Sequence, residues 1–152
     1  MARPTDRGEG ADHGSQATGP SDLLHGIKIL VIDDHEDARQ MLAEYFSYMG
    51  ATVSVAASGQ EGLILYRDVG PDVVVTDIAM PKIDGYHVAR ELRAAARARR
   101  HRLRIIAITA FWEMHPEFRA VRAGFDAWVT KPIKLGTLAA LVAKLTRHLR
   151  AA

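Results

Sequence analysis

The sequence predicts an α/β fold: a doubly wound five-stranded parallel sheet with five helices, formed as one domain by residues 26–150. Three observations predict it. Five short β-rich runs alternate with five helical patterns over about 125 residues, which calls for right-handed βαβ crossovers and helices on both faces. The runs are near-continuously apolar, Val73–Val75 most clearly, as strands covered on both faces are. Four of the five runs end on or beside a polar residue, at the edge where open α/β sheets leave a crevice for ligands.

The elements follow in order. Residues 1–25 are polar and Gly-containing, with too little apolar surface to offset the entropy of ordering, and read as a disordered arm. Its charges are mixed (Arg3 and Arg7 against Asp6, Glu9, Asp12 and Asp22), which argues against a nucleic-acid arm. Ile27–Ile32 is the first strand and runs into Asp33-Asp34. His35–Met49 has a helical stripe at Ala38, Met41, Leu42, Tyr45 and Met49, with Gly50 as its stop. Thr52–Val55 is a short strand. Ser58 and Glu61 have capping-box spacing, and Leu63, Tyr66 and Val69 carry a helix to Gly70-Pro71. The central run from Val73 stops at Asp77. Met80-Pro81 and Asp84-Gly85 then turn the chain, Pro by fixing φ and Gly by permitting positive φ. Tyr86–Arg99 is helical, with Val88, Leu92, Ala95 and Ala96 facing in. Leu103–Ile108 is a fourth strand, ending at Thr109. Pro116 suits the first turn of a short helix over Glu117–Ala123, closed by Gly124. Ala127–Val129 is a fifth strand, ending near Lys131-Pro132, and leucines from Leu135 to Leu149 stripe the last helix.

Composition narrows the function. With 152 residues the chain can bury a real core, and without Cys it has no disulfide, thiol chemistry or Cys-based metal site. No apolar run approaches the ~18 residues of a membrane span. The amino end lacks an apolar signal core, so the expectation is a cytoplasmic protein with no membrane contact.

The polar residues at strand ends are Asp33, Asp34, Asp77, Thr109 and Lys131, and the fold brings all five to one edge. Three carboxylates crowded together repel one another unless a cation joins them. A hard divalent ion such as Mg²⁺, held by a few protein oxygens with water and phosphate, suits that set. Asp77 could then act as a nucleophile and form an aspartyl phosphate, with Lys131 and Thr109 meeting further phosphoryl oxygens.

These residues, with the stretches Asp77-Ile-Ala-Met-Pro-Lys-Ile-Asp-Gly85 and Ala123-Gly-Phe-Asp-Ala-Trp-Val-Thr-Lys-Pro132, resemble the receiver domain of two-component response regulators, a flavodoxin-like fold, over about Lys28–Leu149. The resemblance implies a phosphorylation-dependent signalling switch rather than an enzyme beyond its own phosphorylation and slow hydrolysis. With no output domain after the last helix the expectation is a stand-alone switch, and a receiver cut from a hybrid kinase is a further alternative. It implies that Asp77 takes a phosphoryl group from a histidine kinase or a histidine phosphotransfer protein. Asp33, Asp34, Asp77 and the backbone carbonyl of Ala79 would hold Mg²⁺. Thr109 and Lys131 would read the phosphorylated state, with Trp128 as the aromatic that swings inward when Thr109 shifts. It also implies a cis Lys131-Pro132 peptide. Signalling would pass to a downstream protein through the face of the fourth helix, fifth strand and fifth helix, with room for a phosphorylation-dependent homodimer.

Two features depart from the family pattern. Ala79 and Phe111, at positions that tune water access to the phosphoryl group, are apolar. Arg90–Arg104 holds seven Arg and one Glu, net +6 against +2 for the whole chain, so the remainder carries −4. That stretch supports an alternative, a nucleic-acid binding module. No helix-turn-helix or zinc motif accompanies it, and Arg runs of this size are usually solvated faces.

Overall fold

The computed structural model describes residues 22–110 and 123–149. Five strands form one all-parallel sheet: β1 (Lys28–Ile32), β2 (Thr52–Ala56), β3 (Val73–Asp77), β4 (Arg104–Thr109) and β5 (Ala127–Thr130). Their spatial order is β2-β1-β3-β4-β5. The chain steps outward from β1 to β2, then returns past β1 to β3, so the winding reverses between β1 and β3. A crevice opens at such a reversal, at the carboxyl ends of the strands.

Every described helix packs on this sheet. They are α1 (Glu36–Tyr48), α2 (Gly59–Val69), α3 (Gly85–Ala98) and α4 (Leu135–Leu145), the last continued by a 3₁₀ turn at Arg147–Leu149. The helix predicted over Glu117–Ala123 lies outside the described residues except for Ala123. Strand side chains alternate between two cores. Leu30, Ile32, Val74, Ile105 and Ala107 meet α2 and α3, whereas Ile29, Val31, Val73, Val75, Ile106 and Ile108 meet α1 and α4. Both faces are therefore apolar, which is why β3 is buried at every position.

Four local readings need correction. Leu24, assigned to the arm, is fully buried in the α1/α4 core, and its N–H donates to Met49 O at 2.8 Å. A leucine pair beside a polar stretch gives no periodicity, yet Leu24 is buried in that core while Leu23 stays 38% exposed. On α1 the buried residues are Leu42 and Phe46, while Met41 is 43% exposed. The inward stripe is thus rotated by about one residue from the predicted one. Ser58 does cap α2, accepting from Glu61 N–H at 3.1 Å, but Glu61 reaches back to Ala57 N–H at 3.0 Å.

The last correction concerns Gly85. Positive φ in that loop belongs to Lys82 (φ 66), and Gly85 is needed for space: a Cβ there would lie 2.6 Å from Asp77 O and 2.7 Å from Ile78 Cα. Asp84 caps the helix that Gly85 begins, accepting from His87 N–H at 2.9 Å.

Candidate functional site

β1 and β3 pair side by side, Ile32 opposite Thr76, so the residues that follow them come together at the carboxyl edge. Asp33 is 1% and Asp77 2% exposed. Asp34 is half-buried and forms the outer side of the cluster. One donor atom each from Asp33, Asp34, His35 and Asp77 lies within 4.8 Å of all the others, a set that could hold a metal ion.

Backbone and side-chain donors fix the two buried carboxylates, Asp33 and Asp77. Asp77 Oδ1 accepts from Ala79 N–H at 3.0 Å and Asp77 Oδ2 from Lys131 Nζ at 3.0 Å. Lys131 is itself placed by the strands, because its N–H donates to Thr109 O at 2.8 Å; the Lys131-Pro132 peptide is cis, as expected. Asp33 Oδ1 accepts from His35 N–H at 2.9 Å, and Arg39 donates to Asp33 O at 2.9 Å. Asp33 Oδ2 is buried with no hydrogen-bond partner. Burial is the main cause that raises the Asp33 carboxyl above its ordinary pKa, and the neighbouring Asp77 charge adds to it; the His35 N–H and Lys131 act the other way. A buried carboxylate oxygen without a partner, in an oxygen-rich cluster, fits a hard divalent cation as the missing neighbour.

The other predicted residues are placed as follows. Thr109 is 4% exposed at the end of β4, opposite Thr130. Trp128 is half-buried and packs against the α2/α3 core. Ala79 is exposed beside the cluster, and Phe111 lies outside the described residues. A shallow cavity of about 240 Å³, lined by Val129, Thr130, Pro132, Lys134 and Thr137, opens where β5 meets the start of α4.

The Arg-rich stretch is partly built into the fold. Arg93 donates to Leu103 O, Gly124 O and Asp126 at 2.7–2.8 Å. Arg104 reaches Leu145 O at 3.3 Å and Asp126 at 3.4 Å, and Arg99 reaches Arg67 O at 3.4 Å. Asp126 also accepts from Ile105 N–H at 2.8 Å. Three of the seven guanidinium groups therefore tie α3 and β4 to their neighbours; Arg90, Arg97, Arg100 and Arg102 are exposed.

Sequence reasoning missed His35 and Arg39 at the site. The signal for His35 was its place directly after the acidic pair; Arg39 gave none, since arginines in a helical pattern are ordinary.

The model of the response regulator receiver domain matches residues 29–143. The chain is 38% identical over 125 residues to the virulence sensor protein BvgS of Bordetella pertussis, covering 80% of this chain and 10% of that one. It is 36% identical over 121 residues to the probable transcriptional regulator ycf27 of Porphyra purpurea, covering 80% and 48%. The chain thus spans between a tenth and a half of the length of these relatives. Among solved structures, a response regulator receiver domain protein from Clostridium thermocellum superposes with a TM-score of 0.74 at 26% identity, covering 82% of this chain and 98% of that one. No helix of the described residues is long and apolar enough to cross a membrane.

Proposed function

The chain belongs to the response regulator receiver domain family, and on that premise we propose that it is a phosphorylation-dependent switch whose phosphoryl acceptor is Asp77. One observation carries the reading. Asp77 stands at the winding reversal, with one oxygen held by Lys131 Nζ and the other by Ala79 N–H, beside two further carboxylates.

In the proposed step, an Asp77 oxygen attacks the phosphorus of a phosphohistidine on a histidine kinase or phosphotransfer protein. The new O–P bond forms as the P–N bond breaks, and the imidazole nitrogen keeps the electron pair. The two donors to Asp77 orient the carboxylate before attack. Lys131 then passes to a phosphoryl oxygen, and the Thr109 hydroxyl donates to another. Asp33, Asp34, Asp77 and the Ala79 carbonyl would hold Mg²⁺, which when bound neutralises charge on the incoming phosphoryl group. The catalysis proposed is the chain's own phosphorylation and slow hydrolysis.

Output is proposed to run from Thr109 to Trp128 and the surface of β5 and α4, where the shallow cavity gives a protein partner, or a second copy, something to grip. A cytoplasmic address is where a histidine kinase would supply its phosphoryl group. Intact-mass measurement with Mg²⁺ and acetyl phosphate tests the core of the proposal. One phosphoryl group should appear on the wild type and none on Asp77→Asn; undiminished labelling of the variant overturns it.

A further inference from the structure

We propose that His35 is a nitrogen donor to the acidic site and biases it toward divalent ions that favour imidazole over Mg²⁺; this deepens, and rests on, the metal reading above. The geometry comes first. His35 opens the turn after β1, and its N–H on Asp33 Oδ1 holds it against the cluster at 2.9 Å. Its Nδ1 lies 3.3 Å from Asp34 Oδ1 and 3.5 Å from Asp33 Oδ1, and all four donor atoms fall within 4.8 Å. An octahedral ion with bonds of about 2.1–2.2 Å sets adjacent donors about 3 Å apart and opposite ones about 4.3 Å apart. The observed spacings need only a small inward closure.

Two further facts favour ligation. Asp33 Oδ2 is buried and has no hydrogen-bond partner, so the inner wall offers an unfilled acceptor. The His35 side chain is 69% exposed, so it forms the outer lip and can turn inward without disturbing the core. Lys131 and Arg39 are the other cationic groups here, and they are held by Asp77 Oδ2 and Asp33 O. Imidazole strengthens sites for Ni²⁺ and Zn²⁺ and adds little for Mg²⁺, which prefers oxygen. The opposing arrangement makes His35 a cation that pairs with the carboxylates and competes with the metal. Its removal would then tighten metal binding.

The experiment titrates the full chain calorimetrically with MgCl₂ and NiCl₂ at about pH 8, where an ordinary imidazole is neutral. Wild type, His35→Ala and His35→Gln are compared, with Asp33→Asn/Asp34→Asn as the background for Ni²⁺ held by other histidines. We expect both His35 variants to lose about tenfold or more in Ni²⁺ affinity while Mg²⁺ changes less than about twofold. Pulsed electron paramagnetic resonance of the Mn²⁺-loaded wild type should show a ¹⁴N coupling that His35→Ala lacks. Ni²⁺ affinity that is unchanged or improved in the variants overturns the proposal, as does an equal loss for both ions or an absent ¹⁴N coupling. Failure of the underlying metal reading looks different: the wild type would then bind no more Mg²⁺ than the double variant.

Discussion

Gly85→Ala tests whether the reactive edge is set by backbone contact between α3 and the end of β3. The new Cβ would sit 2.6 Å from Asp77 O, 2.7 Å from Ile78 Cα and 3.2 Å from Asp77 C, where ordinary contact begins at 3.4 Å. All three atoms are backbone, so no rotamer change relieves the overlap, and the helix and the strand end must part by about 0.8 Å. The Gly85 N–H bond to Ile78 O, now 2.9 Å, stretches with them. Overpacking of this kind costs about 2–3 kcal/mol, near the upper end of its usual range because the neighbours cannot rotate away. At roughly 3–4 °C per kcal/mol for a domain of this size, Tm should fall by roughly 6–12 °C. Because two of the three displaced atoms belong to Asp77, its labelling by acetyl phosphate should slow by about 10–100-fold. Gly70→Ala is the control. It meets open space at φ 61, so it should cost about 1 kcal/mol of left-handed strain and leave labelling at the wild-type rate. Urea unfolding followed by circular dichroism and intact-mass labelling read the two effects. A Gly85→Ala protein within about 0.5 kcal/mol of wild type and labelled at its rate refutes the reasoning.

Three further outcomes are expected. With chelator present, Asp33→Asn should melt above the wild type at neutral pH. Burial raises the folded Asp33 carboxyl above its unfolded value of 3.8, so the wild type's Asp33 contribution is fully present below that value and lost as pH rises through the folded pKa. The variant's advantage should therefore shrink as the pH is lowered toward 3.8, and a variant less stable than wild type at neutral pH would contradict this. Asp126→Ala should lose about 2–3 kcal/mol in urea unfolding, because Arg93, Arg104 and the Ile105 N–H lose one acceptor together, with Asp126→Asn keeping part of it. The Arg-rich stretch should not hold nucleic acid at physiological salt; tight, salt-sensitive binding that Arg97→Ala/Arg99→Ala/Arg100→Ala abolishes in a filter or anisotropy assay would reverse that.

The strands were more legible than the helices, and the reason is burial. β3 lies between two helical layers, so every side chain is apolar or capped and the run stands out without any phase to choose. A helix buries only a stripe, and a stripe can be misread by one position. On α1, Met41 and Phe46 are both large and apolar, and periodicity alone cannot say that Phe46 turns in while Met41 turns out. Leu24 shows the same limit at the chain's end: it is buried by what the fold places over it, with no local pattern to announce it.

The site was legible to the extent that it depends on direction. In an all-parallel sheet each carboxyl end points the same way, so a list of strand-end residues is already a list of neighbours, and Asp33, Asp77, Thr109 and Lys131 need no further information to be placed at one edge. Distance is another matter, because loops set it. That Lys131 rests on Asp77 Oδ2, that Asp33 Oδ2 is left without a partner, and that His35 leans over Asp33 and Asp34 follow from turns whose φ and ψ the sequence does not announce. The same directional rule explains a residue whose work the motif conceals. Asp126 sits in the stretch leading to Lys131, yet it precedes β5 whereas Lys131 follows it, so the two lie at opposite edges of the sheet. There Asp126 joins Arg93 and Arg104 to the start of β4. One short motif thus anchors the frame at its first end and supplies the reactive edge at its other.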